Sequence, residues 1–386
     1  MRIGITLQSL DPTWGGIGVY TRELVRHLLR RDREHEYVLL YPGFGSPRKL
    51  SGQYRRYRNV TEVETSGSRI PSGWYWDQVV VPGVAAGLGV DVLFNPFLSV
   101  PIRGRFAKVM VMHAVEYHTV PSAYDWRMYL RWSVLEKLIL PAADRLISIS
   151  RTMTDDIRRA VRYPIGKVRT VHHGVGPEFR PVDDEAALDA ARETYRLPGS
   201  YVLFVGHLYP QKNFATLLRA FERIRREVDH DLVVVGRPRW KYEGDLRLID
   251  TLGLGDRVHF LHYVPYEDLP AIYTLASCLA FPSLYEGFGL VQVEAMACGC
   301  PVVAARAGAI PEIAGDAALL FDPTSPDELA GALLRVIRDR EAREALVERG
   351  RARAGAFTWD RCASETLRVL EEAARDRVRG RSRSRA

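Results

Sequence analysis

Two doubly wound α/β domains, each a parallel sheet flanked by helices, are the fold class this sequence predicts, on three observations. Short apolar runs alternate with helix-period stretches along nearly the whole chain, the pattern of strand–helix–strand crossover units. The 386 residues exceed what a single hydrophobic core ordinarily organises. The alternation also restarts halfway, after Pro177 to Asp184, where two prolines and an acidic run read as a linker. The expected boundaries are 1–180 and 181–356 for the two domains, 357–376 for a last helix, and 377–386 for a disordered basic tail.

In the first half, Arg2 to Leu7 reads as a strand, and Met1 to Ile5 as its opening rather than a signal peptide. Asp11 to Gly18 follows as a glycine loop with Gly15, Gly16 and Gly18, and a helix runs from about Val19 to Arg30. Strand, glycine loop and helix start make an anion site, although these glycines do not match the dinucleotide fingerprint and also suit a plain tight turn. Tyr37 to Tyr41 is the next strand, and Gly43 to Gly73 carries little pattern. A helix opens at Trp74 and carries Val79 to Val84. Val90 to Phe94 and Lys108 to His113 are strands, so His113 falls at a carboxyl end, where parallel sheets present functional groups. Tyr124 to Leu140 is a long helix whose Trp126, Tyr129, Leu130, Leu135 and Leu138, interleaved with basic residues, read as core with snorkelling cations. Strand Arg145 to Ile149 leads to Ser150, a helix cap, and strand Val168 to Val171 ends at His172 and His173.

The second half repeats this order. Tyr201 to Val205 is a strand, Gly206 to Asn213 a loop, and Phe214 to Val228 a helix capped by Asn213. Lys212 is oddly signed beside a helix start, where the dipole disfavours a cation unless an anion lies between them; a solvated loop lysine is the plain alternative. Leu232 to Val235 and Val258 to Leu261 are further strands, Pro265 to Ala276 is a helix, and Phe357 to about Ala374 the last helix.

The stretch from Ala280 to Val303 carries the chemistry. An apolar strand ends at Pro282, Glu286-Gly287-Phe288-Gly289 turns, and a helix begins at Leu290 and stops at Gly299. Backbone N–H groups at such a helix start face outward and receive phosphate. Glu286 lies in the turn, and Glu294 sits among Val293, Ala295 and Met296, an apolar setting in which a carboxylate needs partners. Vicinal hydroxyls of a sugar or ribose suit it, since each carboxylate accepts two hydrogen bonds at once.

Glu286 and Glu294, with the flanks Pro-Ser-Leu-Tyr-Glu-Gly-Phe-Gly and Glu-Ala-Met-Ala-Cys-Gly-Cys-Pro-Val-Val, resemble the Glu-x7-Glu signature of retaining glycosyltransferases of family 4. The loop at Gly15, Gly16 and Gly18, the Gly206 to Asn213 segment and the Gly308 to Glu312 segment resemble that family as well. The resemblance implies the GT-B fold, two Rossmann-like domains facing across a cleft, an acceptor-binding one first and a nucleotide-sugar-binding one second, with the last helix crossing back to the first. It implies a hexosyltransferase moving a hexose, mannose being the first candidate, from a nucleoside diphosphate sugar to an acceptor hydroxyl with retention. The acceptor is then a glycan or glycolipid of cell-surface polysaccharide assembly. Glu286, His113 and Lys212 are the implied catalytic residues. Gly16, His207, Lys212, Glu286, Gly287, Phe288, Gly289, Leu290 and Glu294 are the implied donor-binding residues. Three departures stand out: His207 occupies a position where the family has arginine, His173 one where it commonly has asparagine, and Ala114 one where many members have aspartate, whose job is then missing or left to another residue such as Glu116. An epimerase or phosphorylase on the same fold is the alternative enzyme, and a basic scaffold the alternative outside enzymes.

No Asp-x-Asp pattern is visible, so neither metal nor cofactor is expected, and the leaving group is left to cations and helix dipoles. Cys278, Cys298, Cys300 and Cys362 have neither disulfide nor zinc spacing and read as reduced core residues of a cytoplasmic protein. The net charge of +7 suits pyrophosphate-bearing substrates and peripheral contact with anionic membrane. No nucleic-acid motif accompanies it, and nucleic acid is not expected as a partner.

Overall fold

In the computed structural model every residue is described except 11–14, 46–49, 66–71, 114, 120–125 and 384–386, with the backbone alone at 116, 117, 128, 131, 132, 135 and 381–383. The chain forms two compact units, one from Met1–His118, Tyr124–Gly174 and Thr358–Ala386, the other from Thr119–Ala123 and Val175–Phe357.

The first unit is a seven-stranded, wholly parallel sheet in the order β3-β2-β1-β4-β5-β6-β7. Its strands are β1 (Arg2–Thr6), β2 (Glu36–Pro42), β3 (Val60–Thr65), β4 (Val92–Asn95), β5 (Ala107–Met112), β6 (Arg145–Ser148) and β7 (Val168–Thr170). The central strands are covered on both faces and read as continuous apolar runs; all six residues of β5 are buried. Trp76 anchors one flank, fully buried against Val38, Leu40, Leu93 and Phe106, with its indole N–H donating to the Thr65 hydroxyl at 2.6 Å.

The second unit is a six-stranded parallel sheet, β10-β9-β8-β11-β12-β13. These strands are β8 (Tyr201–Val205), β9 (Asp231–Val235), β10 (Val258–Phe260), β11 (Cys278–Phe281), β12 (Val302–Ala305) and β13 (Ala318–Phe321). Helix Phe214–Ile224 buries Phe214, Leu217, Leu218, Phe221 and Ile224, the face its period dictates. All four cysteines are buried and free.

Several elements differ from expectation for identifiable reasons. Strands β3 and β13 were not anticipated. Both lie at sheet edges, half exposed: Val-Thr-Glu-Val-Glu-Thr carries no apolar run, whereas Ala-Leu-Leu-Phe is an apolar run of four, too short to be told from a buried helix segment by its pattern. The helix expected from Trp74 is broken into a turn at Gly73–Tyr75, a π-helical turn at Trp76–Val80 and an α-helix at Val81–Gly87. Pro82 opens that last piece, since it cannot donate to the preceding turn. The last helix spans Trp359–Arg383, so residues 377–383 of the expected disordered tail are helical. Ion pairs to the sheet hold its start, Arg377 reaching Asp144 at 3.2 Å and the preceding Asp376 pairing with Arg145. The tail's final residues, 384–386, lie outside the described residues.

Candidate active site

In the second unit the strand order reverses between β8 and β11, and crossover connections leave those two strands in opposite directions. The carboxyl ends of strands flanking such a reversal open into a crevice that helices do not fill. Two loops meet there, Gly206 to Asn213 after β8 and Pro282 to Gly289 after β11. The Leu284 N–H donates to the Gln211 carbonyl at 2.7 Å, and the Asn213 amide donates to the carbonyls of Pro282 at 3.1 Å and Pro323 at 2.7 Å. Asn213, expected as a side-chain cap, is instead a brace between loops. Its backbone is left-handed at φ 55°, which asparagine tolerates, and its side-chain oxygen accepts from the Thr216 hydroxyl at 2.8 Å.

This bracing brings Lys212 and Glu286 together. The ammonium lies 2.5 Å from Glu286 Oε1 and 5.7 Å from the centroid of the Phe281 ring, with the Lys212 and Glu286 side chains only 18% and 13% exposed. A cation at a helix start is thus offset by a specific carboxylate, and that carboxylate sits in the turn before the next helix. Gly308 backs Glu286 from the other side: the Ala309 N–H donates to the Glu286 carbonyl at 2.9 Å, and a β-carbon on Gly308 would stand 2.6 Å from that oxygen.

His207 accepts the Arg237 N–H through Nδ1 at 3.1 Å, which leaves the ring proton of the neutral form on Nε2. Burial first, then the charges of Arg239, Lys212 and Arg237, lower its pKa below the ordinary value. Near neutral pH it therefore offers a donor without the positive charge that arginine would bring.

Helix Leu290–Ala297 starts from Gly289, at φ 87°, with no side chain capping its first turn. Gly287 and Phe288 are buried and Leu290 is half-buried. Phe288 packs edge-on against Phe357, ring centroids 5.5 Å apart, so it can serve a ligand through its backbone only. Glu294 is buried, as its apolar neighbours required. Its two carboxylate oxygens accept from Tyr266 at 2.9 Å and Tyr273 at 3.1 Å. Burial, and next the Glu294 charge, push the Tyr273 hydroxyl well above its ordinary pKa, so it stays a donor. Sequence reading missed both tyrosines. The only available signal was an aromatic pair at helical spacing, which core packing explains as well.

The first unit holds the remaining candidates. Gly16 is exposed at the start of helix Gly16–Arg31, which begins three residues before the expected Val19; Asp11 to Trp14 of its loop lie outside the described residues. His113 follows β5 and is buried, Nε2 donating to the Pro96 carbonyl at 2.7 Å across the ends of β4 and β5. Burial lowers its pKa to about 4, partly opposed by that bond, so Nδ1 is an acceptor at neutral pH. Tyr20 meets His113 edge-on at 4.8 Å between centroids, and His173 lies 4.5 Å from Tyr20 and stacks on Trp359 at 6.0 Å. The unusual His173 is thus a member of a buried aromatic cluster.

Residues 14–179 match the family described as Glycosyltransferase Family 4, and residues 191–353 match Glycosyl transferases group 1. An O-antigen chain mannosyltransferase B of Escherichia coli is 30% identical over 68% of this chain and 70% of its own length. An MMP alpha-(1->4)-mannosyltransferase of Mycolicibacterium hassiacum is 40% identical over 66% of this chain and 61% of its own. The crystal structure of Anabaena Alr3699/HepE in complex with UDP-glucose superposes with a TM-score of 0.74 over 96% of this chain and 100% of that one, at 20% identity.

Proposed function

The chain belongs to the family 4 glycosyltransferases of group 1, and on that premise we propose that it moves a hexose from a nucleoside diphosphate sugar to an acceptor hydroxyl with retention. The observation that carries the reading is the Lys212–Glu286 pair beside the uncapped start of helix Leu290–Ala297. A diphosphate entering there takes over Lys212 as its counter-ion and draws further stabilisation from the helix-start amides and the His207 Nε2 proton. Glu286, released from Lys212, accepts hydrogen bonds from hydroxyls of the transferred sugar. Glu294, to which Tyr266 and Tyr273 donate, accepts from the ribose.

Transfer proceeds on one face of the sugar. The anomeric carbon–phosphate oxygen bond breaks as the acceptor oxygen bonds to the same carbon, and the acceptor proton passes to the departing phosphate. Lys212 stabilises the charge that develops on that phosphate, the largest contribution expected of any single side chain here. His113 presents Nδ1 as an acceptor for a sugar hydroxyl, and Gly16 lets backbone approach the donor closely. The mannosyltransferase relatives make mannose the first sugar to try, and a glycan or glycolipid of cell-surface polysaccharide assembly the first acceptor.

The test is a thermal-shift screen over nucleoside diphosphates and their hexoses, followed by product analysis with the best donor. A ligand at 100 times its Kd stabilises by about 2.7 kcal/mol, a readily measured shift. Glycosyl transfer with the anomeric configuration kept supports the reading. A shift with sugar isomerisation and no glycosyl product would identify an epimerase instead, and no shift with any nucleoside diphosphate would overturn both.

A further inference from the structure

Helix Trp126–Ile139 turns its apolar residues the wrong way for core. Trp126 is 69% exposed, Leu130 54% and Leu138 53%, with Tyr129 and Val134 exposed as well. At 3.6 residues per turn these positions share about half the helix circumference, so the exposure is one continuous face. This corrects the expectation that Trp126, Tyr129, Leu130 and Leu138 are core; the side chain of Leu135, expected with them, lies outside the described residues. Arg127 and Lys137 are exposed on the same face, the guanidinium 5.4 Å from the centre of the Trp126 ring. The helix has one acid, Glu136, which is buried and bonded to His118 at 3.0 Å.

We propose that this face is a docking surface for an anionic lipid bilayer. A contiguous apolar strip on a folded unit calls for a partner. Tryptophan and tyrosine favour the lipid–water boundary, where one end of the ring system is apolar and the other wet, and flanking cations attract acidic head groups. A second copy of the chain fits less well, because a two-fold interface would set Arg127 and Lys137 against themselves. Fourteen residues rise only about 21 Å, short of the roughly 30 Å hydrocarbon core, so the helix lies along the surface. No described helix is long and apolar enough to cross a membrane.

The test is co-sedimentation of the full chain with vesicles of phosphatidylcholine, alone or with about 30 mol% phosphatidylglycerol. No sugar nucleotide is added, so the result is independent of the transfer reaction. Binding should require the anionic lipid and weaken in about 0.5 M salt. Arg127→Glu with Lys137→Glu should lower the partition coefficient by more than about tenfold, and so should Trp126→Ser with Leu130→Ser, with the circular dichroism unchanged. Absence of binding by the wild type overturns the proposal, as does equal binding by the variants. Loss of binding only on Arg379→Gln with Arg381→Gln would assign the membrane contact to the last helix and overturn it too. A dimer in sedimentation velocity, dissolved by Trp126→Ser with Leu130→Ser in a protein that ignores vesicles, would give the face to a second copy.

Discussion

Lys212 and Glu286 are 2.5 Å apart and largely shielded from water, so neither acts alone. In the proposed reaction Lys212→Ala removes the cation that takes charge from the leaving diphosphate, and kcat/KM should fall by roughly 100-fold or more; near-normal steady-state kinetics would return Lys212 to a structural ion pair. The two carboxylates should separate kinetically. In the proposed role Glu294 holds the ribose equally in ground and transition states, so Glu294→Gln should raise KM and weaken binding of the bare nucleoside diphosphate with kcat nearly kept. Tyr266→Phe removes one donor to that carboxylate and should do the same more mildly. Glu286→Gln should fall mainly on kcat with diphosphate binding near normal. Isothermal titration beside steady-state kinetics distinguishes the two, and the opposite pattern would show the roles reversed. His113 gives a pH dependence of stability. Its folded pKa of about 4 lies below the ordinary 6.5, so the unfolded chain binds the proton more readily between those values. Its contribution is complete above about pH 6.5 and is lost as pH falls towards 4. The slope of Tm against pH in that window should be shallower in His113→Asn than in the wild type, and equal slopes would remove His113 from the account.

At the scale of elements, the site depends on turns that position Glu286 from two directions. The β8 and β11 loops are tied through Gln211 and Asn213, and the turn after β12 closes on the Glu286 backbone through Ala309. Gly308 sits at φ 52°, with the Glu286 carbonyl oxygen and amide nitrogen 2.6 Å and 2.8 Å from where its β-carbon would lie. Gly308→Ala therefore strains its own backbone by roughly 1–2 kcal/mol and also pushes Glu286 aside. A lower Tm together with a kcat at least about tenfold down is expected, since misplacing a positioned group by an ångström is costly. A lower Tm with unchanged kcat would mean that this turn supports the fold without setting the carboxylate.

For the molecule as a whole, the charge that stabilises the leaving group is assigned to Lys212, a helix start and the His207 proton. The corresponding expectation is full activity in excess EDTA, measured by release of nucleoside diphosphate. Loss of activity in chelator with recovery on adding magnesium or manganese would place a divalent ion in the reaction.

Residue pattern alone determined the alternation of strands and helices, the two parallel sheets and the local arrangement that presents Glu286 and Lys212. Each follows from short-range chemistry: apolar runs buried on both faces, glycines at turns, and a helix start left open. Only tertiary structure decided the partners. Nothing near Lys212 in the chain names Glu286 as its counter-ion, and nothing near Glu294 names Tyr266 and Tyr273, because those contacts join separate crossover units. Edge strand β3 escaped sequence reading because a half-exposed strand needs no apolar run, and β13 because its four apolar residues read equally well as part of a helix. Helix Trp126–Ile139 misled in the opposite sense. Its periodicity shows that it has an apolar face, but only the packing shows that much of that face meets solvent.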